Sequence, residues 1–142
     1  MNSPNPDTLD VIENEYPNRK TKLELAAPEF SCLCPEKPSQ PDFATIFIEY
    51  VPNEYIIELK SLKLYFTSYR DVEIYHEAAT NQILEDLTEL ISPHWMRITG
   101  QFNTRGGITT DVVVQYGDID EETIPSSKAT RKENLGRISS EK

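Results

Sequence analysis

Cys34 and Asp42 are the residues of this chain best suited to covalent chemistry. Cys34 lies in Ser31-Cys-Leu-Cys-Pro-Glu-Lys-Pro-Ser-Gln-Pro-Asp42, a proline-stiffened loop leading into a strand, where a thiol can be held still yet accessible. A thiolate is a nucleophile, and a carboxyl group that the loop brings near it can move protons. The same residues also suit a plainer arrangement of two ordinary thiols and an aspartate capping a turn. No histidine is near in sequence, which speaks against acyl transfer by a Cys–His pair. Cys32, two positions earlier, is expected to face the other way and is given no catalytic part.

A second group can bind rather than react. At 100° per residue, Ala79, Ile83, Leu87, Leu90 and Ile91 form the apolar stripe of a helix, with His76 within it and Glu77 at its edge. An imidazole and a carboxylate at a helix start can hold a flat polar ring, and the carboxylate suits the adjacent N–H donors of a guanine-like edge. A core histidine bonded to a backbone carbonyl and a solvated glutamate fit the same pattern. Lys60 and Lys63 share a helix face and suit phosphate or another anionic group, or are simply solvated. Arg105-Gly-Gly107 adds a cation on a loop whose glycines permit close backbone approach, as a plain hairpin turn also would. Neither G-x-G-x-x-G after a strand nor G-x-x-x-x-G-K-[ST] occurs.

The elements that must position these residues follow from period and punctuation. Phe43 to Tyr50 is β-branched and aromatic and reads as a strand. Val51-Pro-Asn53 is a turn, and Glu54 to Glu58 a second strand, forming a hairpin with the first. Leu59 to Tyr69 reads as a short helix. A longer one starts near Asp71 and stops at Ser92-Pro93. Two strands, about Met96 to Phe102 and Ile108 to Tyr116, flank a second hairpin turn. The order is β-β-α-α-β-β, an α+β unit with an antiparallel sheet and helices on one face. Seven of the ten prolines precede residue 42. Residues 1–22 read as a loosely ordered arm, 23–117 as the folded domain, and 118–142 as a polar, disordered tail.

Composition narrows the partners. The 142 residues carry 14 Lys+Arg against 24 Asp+Glu, a net charge of −10, and so acidic a surface repels phosphate backbones. Direct nucleic-acid binding is not expected. No apolar run reaches the roughly 18 residues of a membrane span, and no signal peptide is evident, so a cytoplasmic protein is expected. The two close cysteines make neither a disulfide framework nor a four-ligand metal site, and no metal is expected.

Four segments fall into one recognisable order. Glu58-Leu-Lys-Ser-Leu-Lys-Leu-Tyr65 fits E-[SL]-K-[SA]-x-K-x-[YFW] at every specified position. Leu33-Cys-Pro35 precedes Gln40-Pro-Asp-Phe43, and His76-Glu77 and Arg105-Gly-Gly107 follow. Over about residues 23–117 the chain thereby resembles the NADPH-dependent 7-cyano-7-deazaguanine reductases of queuosine biosynthesis, in their short, single-module form. The resemblance implies that Cys34 adds to the nitrile carbon as a covalent thioimide and that Asp42 is the proton donor. His76 and Glu77 would hold the deazaguanine ring together with Ile57, Glu58 and Leu59, while Lys60, Lys63 and Arg105 would lie on the NADPH side. Two hydride transfers would give 7-aminomethyl-7-deazaguanine. The Cys34 to Asp42 spacing is one residue longer than is commonest in that family.

The fold so implied is the tunnelling fold shared with GTP cyclohydrolase I, assembling into an oligomeric β-barrel, as two pentameric rings in a decamer with active sites between subunits. A small domain with one sheet face uncovered also suits such a ring. Two other functions fit the fold. A cyclohydrolase-like enzyme would need zinc held by Cys and His, for which the chain offers only His76, His94 and the close cysteine pair. A non-catalytic oligomeric purine-binding module would not need both Cys34 and Asp42.

Overall fold

The computed structural model describes residues 2–120 and 125. The tail expected over 118–142 lies mostly outside the described residues. Six strands and two α-helices follow a short 3-10 turn at Pro6–Thr8: β1 (Val11–Glu13), β2 (Leu23–Cys34), β3 (Lys37–Val51), β4 (Tyr55–Ile57), α1 (Leu59–Thr67), α2 (His76–Ile91), β5 (Trp95–Arg105) and β6 (Ile108–Tyr116). The main sheet has the antiparallel order β2-β3-β5-β6, while β1 and β4 form a separate two-stranded ladder. This is an α+β unit, and its main sheet with the two helices keeps the β-β-α-α-β-β order. The strands that open that order are not the expected ones.

The proline-rich stretch 31–42 is the centre of the difference. It is not a loop: β2 runs through Cys34 and β3 starts at Lys37, so only Pro35 and Glu36 turn the chain. Pro41 is accommodated because β3 pairs there with β2 alone, the β5 ladder beginning at Ala44 opposite Phe102, so its missing N–H deprives no partner. Pro28 falls in the irregularity between Ala27 and Phe30 on β2, an outer strand of the sheet. The expected hairpin between 43–50 and 54–58 is likewise corrected. Residues 55–57 form a strand but pair with Val11–Glu13, a segment expected to be a loose arm. That arm is bonded along α1, with the Asn5 and Asp10 N–H groups donating to the hydroxyls of Ser68 and Ser61 at 2.9 Å each. Its partners are distant in sequence, so no local period announces it.

Glu58 caps α1, its carboxylate accepting from the N–H groups of Lys60 at 2.8 Å and Ser61 at 2.9 Å, a cap worth about 1 kcal/mol. Helix α2 begins at His76 rather than near Asp71. The intervening residues are engaged by β2: Leu33 donates to the Val72 carbonyl at 2.9 Å and accepts from the Ile74 N–H at 3.1 Å. It ends where Ser92 turns left-handed, φ 43°, ahead of Pro93. The β5–β6 hairpin is as expected, with Gly106 and Gly107 both at positive φ, as a two-residue turn matching strand twist requires.

Both helices pack on one face of the sheet. The core there includes Phe30, Ile46, Ile48, Ile83, Leu87 and Phe102. Gly100 sets the approach of α2, since a Cβ there would come within 2.9 Å of the Thr80 hydroxyl. Among the described residues no helix is long and apolar enough to cross a membrane.

Candidate active site

The antiparallel register places Cys32 directly opposite Asp42, and directly opposed residues share a sheet face. Which face is decided upstream. Leu23, Leu25 and Ala27 pack toward the helices, and so do Phe30 and Cys32. The change from odd to even follows from one extra residue on β2, where Ala27 to Phe30 spans Ile46 to Ala44. Such a bulge reverses the alternation of side chains. Asp42 thus sits beneath the helices with 7% of its surface exposed.

Two partners hold the Asp42 carboxylate. His76, the first residue of α2, places Nε2 3.2 Å from Oδ2, and the Arg105 Nε lies 3.4 Å from Oδ1. The Arg105 Nη2 also donates to the carbonyl of Pro41. The His76 ring is stacked on Phe102, centroids 3.9 Å apart and planes within 7°. In the tautomer in which Nε2 donates to Asp42, Nδ1 remains an acceptor.

The two cysteines differ sharply. Cys32 is fully buried, and burial, followed by the charges of Asp42 and Cys34, pushes its thiol up to about 12. It stays protonated at neutral pH and is a poor nucleophile. Cys34 is half-buried. The register of β2 against β3 shifts between Leu33 and Cys34, so the thiol stands where regular pairing ends. Two positions along an extended strand do not turn a side chain to the opposite face, which corrects the expectation that the two cysteines face apart. The Tyr75 phenol, which donates to Glu36 at 3.2 Å, is raised first by that bond and the Glu36 charge, then by desolvation, with smaller contributions from Cys34 and Glu77. The turn after β2 and the start of α2 bring the thiol, the glutamate and the His76–Asp42 pair to one end of the sheet.

The other expected residues lie elsewhere. Ile57 donates its N–H to the Tyr50 hydroxyl at 3.1 Å. Tyr50 is eight residues along β3 from Asp42, roughly 26 Å at the usual rise of a strand. Ile57, Glu58 and Leu59 thus belong to the far end of the sheet. Lys63 lines a groove of about 530 Å³ between β2 and α1, whose walls include Ala26, Ala27, Leu59, Phe66 and Arg70. Arg105, expected beside the cofactor, has its guanidinium turned onto Asp42. Phe102, Tyr75 and Arg70 are site or groove residues that sequence reasoning passed over. The aromatic at Phe102 was legible as a strand residue, but nothing in its period marks a ring under His76. Among the described residues no three His, Cys, Asp or Glu side chains converge as a metal-binding group.

This arrangement can add a thiol to an electrophilic carbon and move the associated proton. The family model described as QueF-like protein matches residues 41–121. A protein of Nitrosococcus oceani named NADPH-dependent 7-cyano-7-deazaguanine reductase is 54% identical over 108 residues, covering 76% of this chain and 83% of its own. One of the same name from Halorhodospira halophila is 52% identical over 109 residues, covering 77% and 92%. The crystal structure of the archaeosine synthase QueF-Like in the apo form is similar in fold, with a TM-score of 0.61 at 23% identity, over 70% of this chain and 95% of that one. By the extent of the family match and the identity to these relatives, the chain belongs to the QueF-like protein family.

Proposed function

We propose that this chain reduces the nitrile of 7-cyano-7-deazaguanine to the aminomethyl group with NADPH, in the cytoplasm, as a step of queuosine biosynthesis. The relatives' names supply substrate and cofactor. The observation that carries the chemistry is the half-buried Cys34 at the sheet end where Asp42 is held by His76 and Arg105. Nitriles are poor hydride acceptors, and covalent attachment divides the difficult reduction into easier steps.

In this reading the Cys34 sulfur bonds to the nitrile carbon as one C≡N π bond opens. Asp42 takes the thiol proton and passes it to the nitrogen, so the thioimide forms with no change of oxidation state. His76, through Nδ1, and Glu77, through its carboxylate, both accept from N–H groups of the ring and so orient it by its donor edges. NADPH supplies hydride when bound, twice for the four-electron change. The groove between β2 and α1 offers apolar surface at Phe30, Ile48, Leu62 and Phe66 for part of such a cofactor, and Lys63 and Arg70 offer cations for phosphate, beside the carboxylates of Glu24 and Glu29. Lys60, one turn from Lys63, stands on the same helix for the same role.

The site is completed by a second subunit. Ile57, Glu58 and Leu59 lie too far from Asp42 within one chain to contact the same ring, and a neighbouring copy can supply them. Assembly is supported by the two outer strands, β2 and β6, and by exposed Ile108, Val113 and Tyr116 on β6. We take the assembly to be a tunnelling-fold barrel of stacked rings, two pentamers making a decamer.

Incubation with 7-cyano-7-deazaguanine alone is expected to give a covalent adduct by intact mass, lost in Cys34→Ala; an unmodified mass at saturating nitrile refutes the mechanism. For the shared site, activity per subunit is expected to fall on dilution in parallel with the oligomer seen by light scattering. A fully active monomer refutes it.

A further inference from the structure

We propose that residues 2–13, the arm laid along α1 and β4, position the ring-binding segment Ile57-Glu58-Leu59 and thereby serve the Cys34 site of a neighbouring subunit, not that of their own chain. The assignment rests on the covalent, shared-site reading above. Strand β4 lies outside the main sheet, and its ladder partner is β1, with Val11 opposite Ile57, Ile12 opposite Ile56 and Glu13 opposite Tyr55. The bonding continues past both ends of the ladder. The Asn14 N–H donates to the Glu54 carbonyl at 2.8 Å, and the Glu58 N–H to the Asp10 carbonyl at 3.1 Å. From the core side the Tyr50 hydroxyl accepts from the Ile57 N–H. The segment is therefore held between core and arm, and without the arm the Glu58 N–H loses the partner that every such group requires.

Helix α1 carries the other half of the attachment. Ser61 and Ser68 stand two turns apart on one face, and each hydroxyl accepts an arm N–H, from Asp10 and from Asn5, at 2.9 Å. Each also donates to the carbonyl three residues back, that of Glu58 at 2.8 Å and that of Tyr65 at 2.6 Å. Ser61 thus joins Asp10 to Glu58 through a single oxygen, using its proton one way and a lone pair the other. Leu9 and Val11 add apolar contact with the core. What the arm fixes is the backbone that carries Glu58 and the exposed Leu59. A segment already ordered loses little freedom when a ring docks on it, whereas a loose one must be ordered at that moment.

Adduct formation with 7-cyano-7-deazaguanine needs no NADPH, so ring binding can be read apart from any part α1 has in holding the cofactor. In the chain lacking residues 2–13, the nitrile concentration giving half the limiting adduct rate is expected to rise about tenfold or more, the scale of ordering one or two residues on binding. The limiting rate itself should stay within about twofold, because Cys34 and Asp42 are untouched. A lowered limiting rate at unchanged half-saturation overturns the assignment. Co-assembly with an excess of Cys34→Ala chains, which keep their arms but cannot form the adduct, should return the truncated chains to the parental half-saturation. No recovery in mixed oligomers overturns the assignment, since the arm would then act on its own chain. If the truncated chain does not fold or assemble, Ser61→Ala combined with Ser68→Ala, which removes two acceptors of the arm, decides: a parental half-saturation there overturns it equally. In the unsubstituted chain, absence of adduct refutes the covalent reading and a fully active monomer refutes the shared site, and the assignment falls with either; a failure confined to the variants refutes the assignment alone.

Discussion

Asp42 and Asp86 are buried almost equally, with 7% and 8% of their surfaces exposed, yet their surroundings suit opposite tasks. Asp86 lies between the helices, accepting from the Tyr65 hydroxyl at 2.6 Å and from the Gln82 amide at 3.0 Å, and Tyr65 meets Tyr69 at 2.8 Å. Burial above all pushes both phenols well above their usual range, so they remain protonated. Every partner of this aspartate is a neutral, packed group, and the network ties α1 to α2. Asp42 has a histidine and an arginine for partners and a half-buried thiol two positions from its strand neighbour. Burial alone does not distinguish a structural carboxylate from a reactive one; the charge and chemistry of what surrounds it do.

The contrast is testable at both ends. Asp42→Asn, which keeps shape but cannot carry a proton, is expected to reduce nitrile turnover by about 10²–10⁴-fold while its thermal midpoint stays close to that of the parent chain. Full turnover would remove Asp42 from the reaction and dissolve the distinction. Tyr65→Phe is expected to act the other way, lowering the unfolding free energy by about 1–3 kcal/mol because a buried carboxylate loses its donor, with the rate per folded molecule unchanged. Urea unfolding alongside turnover separates the two quantities. A Tyr65→Phe protein of parental stability would show that the network contributes nothing net.

The sequence was most readable where side chains keep a simple period. The α1 and β5–β6 segments, the end of α2, and the strand from Phe43 to Tyr50 all lie where expected, and the Glu58 to Tyr65 motif was visible as a string. It was least readable where three prolines suggested a loop. Pro35 sits in the two-residue turn, while Pro38 and Pro41 are compatible with strand because their stretch lacks a second ladder partner, a fact about tertiary pairing that no window of residues carries. The same holds for residues 11–13, whose partner is more than forty positions away. Among the candidate site residues, Cys34, Asp42, His76 and Glu77 were open to plainer readings on chemistry and spacing alone and were singled out by the order of their motifs; the fold brings them to one end of the sheet. The direction in which Arg105 points could not be chosen, because it depends on a register change between two strands.

The extra residue between Ala27 and Phe30 bears on how such a chain can vary. Counting along a strand works like a parity bit: adding or removing one residue inverts everything downstream, while two leave it intact. Substitutions at Pro28 or Glu29, on the rim of the groove between β2 and α1, leave that count intact, but the loss of a single codon there would turn Phe30 and Cys32 away from the helices. Length, at that point of the gene, is under tighter constraint than identity.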